Sequence, residues 1–405
     1  MNPLLAALLG TLLGCGAGLV PGLHANTLVT LLLAAGAPDP VLLAAMAGSH
    51  ALVALLPSTY LGVPAESGHL GVLPAHRMLL AGRGPDALRI ATAATLGGTL
   101  LAVLLLLPFK WLWAQPGNAA RVLPWLVPVL LVAVPLWLAR GERRKGWRAV
   151  AWGLGVFLLA GCLGLLVPLL HPEAWLPMPP SPLGALLSGL FGGAGLLASG
   201  LGGRALPEQA PPQRIVRAQA WRMGGATVAG VLASGATALV PGATPAIVAS
   251  ATPRTRDPAA GLASLAAVGA AQPIFALALL WLNGQARSGL ALGVQAAGPV
   301  QAWGSGRAPT LLLAVLAAWL AASAVGCLAA RALDGPVSRH LPRLPQAPVA
   351  WAAFGVLTAL AALVAGWAGL VLFAAGTVTG LVPLAAGVRR IHLTGALLLP
   401  LALGR

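Results

Sequence analysis

Apolar runs long enough to cross a bilayer dominate this chain. They fall near 2–20, 38–57, 86–107, 122–139, 149–170, 183–203, 222–240, 259–282, 308–330, 349–372 and 391–404. Each approaches the roughly 20 residues that span bilayer hydrocarbon. Only 8% of the 405 residues are charged and mean hydropathy is +0.88, whereas a soluble domain carries about 25% charge. The expected fold is an all-α polytopic membrane protein with about ten transmembrane helices. The first run lacks the basic start and polar cleavage region of a signal peptide, so it is expected to stay as a membrane segment. The expected location is the cell (cytoplasmic) membrane, with the lipid bilayer as the first partner.

A formal net charge of +16 would suit a nucleic-acid binder, but the basic residues are spread over loops between apolar runs. Topology explains them better, and no nucleic acid is expected as a partner. Cationic loops stay on the cytoplasmic side. Arg140, Arg143, Arg144, Lys145 and Arg148, the loop with Arg204, Arg214, Arg217 and Arg222, and Arg77, Arg83 and Arg89 are therefore expected inside. Lys110, Trp111, Trp113 and Arg121 are expected outside, the tryptophans as an interfacial belt. Cys15, Cys162 and Cys327 sit in apolar surroundings without metal-ligand spacing and read as packing residues.

Inside the first run the chain reads Gly18-Leu19-Val20-Pro21-Gly22-Leu23-His24-Ala25-Asn26-Thr27, and Leu239-Val240-Pro241-Gly242-Ala243-Thr244-Pro245 follows 220 residues later. Pro21 removes a backbone donor and Gly22 tolerates otherwise strained dihedrals, so peptide groups leave the helical ladder. Irregular backbone at membrane depth persists only when buried in protein or lining a cavity, and paired breaks in two halves mark a substrate site. A half-helix starting after the break would aim its amides, with about half a positive charge, at an anion. A merely kinked helix is the plainer alternative. The repeat divides the chain into 1–203, a linker at 204–221 and 222–405, two pseudo-repeat halves whose relative orientation stays open.

Pro57 to His69 holds the only tyrosine and is expected to be a re-entrant segment, the alternative being a structured interfacial loop. Ser58, Thr59, Tyr60 and Glu66 join the candidate site. In nearly the same register stand Gln272, Asn283, Gln285, Arg287 and Ser288, and Glu66 and Arg287 are expected to pair, directly or through substrate. Asp39, Asp86 and Asp257 adjoin prolines at segment ends, where they read as helix N-caps. A third Gly-rich stretch, Gly376 to Pro383, reads as a further break or a helix-to-loop junction. No Walker loop, metal-ligand spacing or nucleophile elbow occurs, so the chain is expected to be no enzyme.

The Gly18–Thr27 stretch, Pro57–Pro64, Leu73-Pro74-Ala75-His76-Arg77-Met78-Leu79-Leu80-Ala81-Gly82-Arg83-Gly84 and Gly387-Val388-Arg389-Arg390-Ile391-His392-Leu393 together resemble the large membrane subunit of tripartite tricarboxylate transporters, the TctA family, and its compact archaeal-type branch most. The resemblance implies a permease for an organic anion, driven by Na+ or H+ through alternating access. It implies no other cofactor, a small membrane subunit and an extracytoplasmic binding protein as partners, and allows a homodimer. It places the substrate on Pro21, Gly22, His24, Asn26 and Thr27 and on Pro241, Gly242 and Thr244. The chain departs from the better-known members in being shorter and in carrying Leu23-His24-Ala25-Asn26 and Ala243-Thr244-Pro245-Ala246 after the Pro-Gly pairs. A translocase for a polyprenyl phosphate or similar anionic lipid is the alternative function, since the same amides would bind phosphate. A membrane enzyme or scaffold comes third.

Overall fold

A computed structural model describes residues 1–36, 39–62, 72–113, 119–175, 180–202, 205–238, 257–286, 288–304 and 306–403. No strand occurs among them. The helices are α1 (Pro3–Gly18), α2 (Ala25–Ala34), α3 (Pro40–Val53), α4 (Leu55–Leu61), α5 (Val72–Leu80), α6 (Gly84–Leu104), α7 (Leu106–Trp113), α8 (Ala119–Arg140), α9 (Trp147–Leu166), α10 (Pro182–Leu187), α11 (Ala194–Gly202), α12 (Arg217–Ala238), α13 (Pro258–Asn283), α14 (Gly289–Ala296), α15 (Thr310–His340), α16 (Gln346–Ala385) and α17 (Gly395–Ala402). Seven stretches among the described residues are long and apolar enough to cross a membrane, with shorter apolar helices beside them. The chain is an all-α polytopic membrane protein, and exposed Leu4, Trp125, Trp221 and Trp367 show how apolar its outer surface is.

The first break is a hairpin tip. Gly10 and Gly14 of α1 lie against Leu42 and Met46 of α3, and Gly18 against Val53. Rising numbers meet rising numbers, so α1 and α3 run parallel, and the terminal amine of Met1 lies 4.0 Å from Asp39, at the start of α3. The chain must therefore return between them, and α2 is the returning arm. Small residues permit the close approach: a Cβ at Gly10 would meet the Leu42 carbonyl and lie 3.0 Å from the Ala45 Cβ. The plainer expectation of a kinked helix is replaced by a re-entrant hairpin whose tip, Leu19 to His24, stops beside His50, near the middle of the Pro40–Leu61 span.

The parallel helix pairing recurs upside down. Gly230 of α12 lies against the Ser264 carbonyl and 3.2 Å from the Ala267 Cβ of α13, and Arg222 pairs with Asp257 at 3.5 Å, at the start of α13. Parallel packing of α12 and α13 repeats that of α1 and α3. The start of α13, however, sits at the other end of the bundle: Ala259 and Leu262 cluster with Ala87 and Ile90 at the start of α6. There Gly84 touches Tyr60, at the end of α4. Thus α13 begins where the α3–α4 span finishes, and the two units have opposite orientation. Asp39 caps α3 by accepting from Val41 N–H at 2.8 Å, and Asp257 caps α13 from Ala259 N–H at 3.0 Å. Such caps typically contribute about 1 kcal/mol each.

Asp86 is not an N-cap. It sits inside the first turn of α6, where it accepts from Arg83 Nε at 2.9 Å and from Gln213 N–H at 2.8 Å. Gln209 Oε1 accepts from Gly84 N–H at 2.8 Å, so segment 205–216 is tied to the start of α6 by backbone and side chain alike. Arginines gather on this face, whereas Lys110 donates to the Gly304 carbonyl on the opposite one. Trp111 there is exposed as a belt residue would be, but Trp113 is buried and stacks on Phe109 at 6.4 Å.

Two further expectations change. Residues 57–61 are helical and finish the Pro40–Leu61 span rather than forming a re-entrant segment; 63–71 lie outside the described residues. Gly376 to Pro383 is continuous helix, and the discontinuity of α16 lies instead at Ala365 (φ −149°, ψ 15°) and Gly366 (φ 58°, ψ −142°). An unbroken 40-residue helix would be about 60 Å long, twice the hydrocarbon thickness. The chain folds back there: Trp351 meets Gly200 while Gly376 meets Leu186, so one arm runs against α10–α11 and the other along it. Phe354 and Phe373 close the arms at 5.3 Å, and Leu363 and Val364 carbonyls freed at the bend accept from Trp175 and Ser181 N–H at 3.1 and 2.9 Å.

Candidate functional site

The hairpin tip is held by a side chain absent from the expected set. His50, 1% exposed, donates from Nε2 to the Leu23 carbonyl at 2.8 Å. Pro21 and Gly22 make the tip: Gly22 adopts φ +77°, and a Cβ there would collide with Leu357 of α16. His24 stands at the N-cap of α2, and its side chain makes no cap bond to the first amides of that helix. Leu28 N–H reaches the His24 carbonyl at 3.2 Å, and the helix proceeds from there. Asn26 is turned toward the N-terminus of α14, where Gly289 leaves room for its Oδ1 and Ser288 caps the helix through Ala291 N–H at 3.2 Å. Gly293 lies against Val29, so α2 and α14 run side by side from the same level. Thr27 is half-buried on the first turn.

Next to the tip a cavity of about 80 Å³ opens between α3–α4, α6 and α13, and His50, Ser58, Thr59, Thr95 and Thr99 provide its polar atoms. That is room for several water molecules at about 10–15 Å³ each on this measure. Ser58 and Thr59 are therefore brought beside the tip. Tyr60 is not: it points out of the cavity and donates to Asp334 Oδ1 on α15 at 2.5 Å, beside a cleft shared with His76, Ser199 and Gln346. Glu66, Pro241, Gly242, Thr244 and Arg287 lie outside the described residues.

Sequence inspection missed His50, Thr95, Thr99 and Asp334. His50 carried a signal, being an imidazole in the middle of an apolar run where an ionisable group is a functional candidate by default. Thr95 and Thr99 share a helix face at i, i+4, a spacing too common in an Ala- and Thr-bearing helix to single out.

A second buried polar cluster sits at the arginine-rich end, away from the tip. Glu142, fully buried between α8 and α9, pairs with Arg389 Nε, with Lys145 at 3.2 Å and with His392 at 3.4 Å, and accepts Arg389 N–H at 3.3 Å. Burial pushes the Glu142 carboxyl up, but the hydrogen bond and charge of Arg389, with Lys145, outweigh it and hold the group below the usual carboxylate range. Arg390 donates to the Leu190 carbonyl at 3.2 Å and to that of Phe191, inside the π-helical turn Ser188–Gly193. A π turn displaces carbonyls from the α-helical ladder, and the guanidinium satisfies them. The motif 387–393 is thus a clasp joining α8, α9 and α10–α11.

Re-entrant hairpin, opposed helix pairs and a mid-span cavity bearing an imidazole and hydroxyls define a multi-pass membrane protein of the transporter class. The model of the tripartite tricarboxylate transporter TctA family matches residues 4–395, and the chain belongs to that family. An uncharacterized protein of Methanocaldococcus jannaschii is 27% identical over 198 residues, covering 47% of each chain. The match therefore spans about half the length of that curated relative. No solved structure matches.

Proposed function

We propose that the chain is the membrane-spanning permease of a carboxylate transporter, working by ion-coupled alternating access around the α1–α2 hairpin tip. One observation carries this reading most: the tip ends near the middle of a membrane span, tied through Leu23 to His50, which also lines a cavity bearing Ser58, Thr59, Thr95 and Thr99. The His24 side chain does not cap the first amides of α2, which supply a fixed partial positive charge. A carboxylate seated there would receive amide hydrogen bonds, with His24, Asn26, Thr27, Ser58 and Thr59 adding donors. Opposed units such as α1–α3 and α12–α13 supply the two nearly equivalent arrangements that alternating access requires. Pro241, Gly242 and Thr244 would complete the site from the second unit, and Glu66 and Arg287 remain a proposed pair.

Family membership favours this over movement of a polyprenyl phosphate. Na+ or H+ would drive uptake, and the family description supports a small membrane subunit and an external binding protein as partners. The arginine-rich face would be cytoplasmic. Proteoliposomes test the reading with labelled mono-, di- and tricarboxylates and labelled polyprenyl phosphate, under an imposed Na+ or H+ gradient. Carboxylate uptake lost in His24→Ala and Asn26→Ala is the expected result. Movement of the lipid alone, or uptake indifferent to both substitutions, would overturn it.

A further inference from the structure

The cavity beside His50 and the cleft beside Asp334 share a wall. On α4, Leu55, Ser58 and Thr59 line the cavity, whereas Tyr60 and Leu61 line the cleft. On α5, Ala75 lines the first, and His76 and Leu80 the second. A single layer of helix therefore stands between the two voids. The cleft, about 490 Å³, lies at the arginine-rich end, between that layer, Ser199 of α11, Leu206 and the start of α16. Within the layer, α4 has the makings of a moving part. Pro57 has no N–H, so the Val53 carbonyl loses the donor that an α-helix supplies four residues on. Ala54 (φ −61°, ψ −14°) interrupts the helix between α3 and α4, and Gly62 ends α4 at φ +68°. Hinges are a few element-terminal residues of this kind.

Tyr60 fastens this segment to α15. Its ring shares an apolar cluster with Leu79, Leu88 and Ala330, and its hydroxyl donates to Asp334 Oδ1 at 2.5 Å. Resting on the permease reading above, we propose that α4 is the gate between the mid-span cavity and the arginine-rich face, and that the Tyr60–Asp334 hydrogen bond is its latch. With the latch made, Ser58 and Thr59 stay turned into the cavity. When the phenol leaves Asp334, α4 swings about Ala54 and Gly62, and the cavity joins the cleft. Tyr60 and Asp334 are then positioning residues, which touch no substrate and set how often the inner path opens.

Thiol labelling reads the gate directly. Thr95→Cys puts a reporter on the cavity wall, at a position only 5% exposed. Sealed vesicles holding the full chain are treated with a membrane-impermeant methanethiosulfonate on one face at a time. Labelling at position 95 is followed by peptide mass spectrometry, which lets Cys15, Cys162 and Cys327 stay in place. Adding Tyr60→Phe keeps the ring and removes the hydroxyl. Labelling from the arginine-rich face is then expected to rise about tenfold or more, the scale of one hydrogen bond to a charged group, with no change from the opposite face. Asp334→Asn leaves an uncharged acceptor, should give a smaller rise from the same face, and serves where Tyr60→Phe does not fold. Unchanged labelling, or an equal rise from both faces, overturns the gate and leaves the permease reading standing, since no substrate enters the measurement. One-sided opening upholds the gate even if proteoliposomes take up no carboxylate, a result that counts against the permease reading alone.

Discussion

Glu142 and His50 are both buried polar side chains in an apolar bundle, yet their surroundings are opposite. Glu142 sits beside Arg389, Lys145 and His392, and its charge is met by the two cations Arg389 and Lys145. His50 instead holds one peptide carbonyl of a re-entrant tip and faces a cavity with hydroxyls around it. Closed polarity fastens elements together. Open polarity at mid-span is available for a ligand. By this contrast, substitutions at the first place should act on stability, and at the second on transport.

The largest effect is expected at the clasp. Glu142→Gln leaves Arg389 without its carboxylate and should cost about 3 kcal/mol or more of stability, the scale for breaking a buried pair from one side. It would be seen as a lowered unfolding midpoint in detergent. Linkage gives the matching pH test. A carboxyl held below its unfolded value contributes fully above that ordinary value, about 4.3, and its contribution fades as pH falls through the lower folded one. Acid loss of stability below the ordinary carboxylate range should be present in the unsubstituted chain and reduced in Glu142→Gln. If the midpoint is unmoved, the cluster is no clasp.

Next come the two helix contacts that repeat in opposite orientation. Gly10→Leu and Gly230→Leu each force a side chain into a neighbouring helix backbone, and overpacking of this kind costs about 1–3 kcal/mol. Similar losses at both positions in thermal unfolding would sharpen the equivalence of the halves; tolerance at one alone would break it. At the tip, His50→Ala frees the Leu23 carbonyl and should lower uptake about tenfold or more, the scale of one buried unsatisfied group. His50→Gln, which keeps a donor, should recover part of the rate. An uptake loss no larger than the loss of folded protein would erase the distinction between tip and clasp. The smallest change is expected at the rim: Arg222→Ala removes a surface pair with Asp257 and should shift stability by no more than about 1 kcal/mol.

Much of the architecture could be read from the sequence. The apolar runs, the sparse charge and Pro21-Gly22 announced membrane helices and a break at depth, and Gly10 and Gly230 already stood in register. Asp39-Pro40 and Asp257-Pro258 also declared two helix starts. Direction was not legible. A Pro-Gly step interrupts a helix whether the chain then continues or returns, and only the parallel contact of α1 with α3 shows that it returns. Similarly, Ala365-Gly366 has the composition of ordinary helix here, and its reversal depends on the neighbouring N–H groups of Trp175 and Ser181, which donate to the freed carbonyls.

The candidate site divides along the same line. Pro21, Gly22 and His24 were legible because local backbone chemistry marks them. Ser58 and Thr59 were legible as polar groups in an apolar stretch, but their neighbour Tyr60 is not brought to the cavity, since a helix turns successive side chains by about 100° and sends the phenol to Asp334. His50, Thr95 and Thr99 came from other helices. The sequence by itself determined the solvent this protein lives in and the points where its helices must fail, because both follow from local hydrophobicity and backbone chemistry. Tertiary structure alone decided which way the chain turns after each failure and which distant side chains meet there, because close packing between helices far apart in sequence selects those partners.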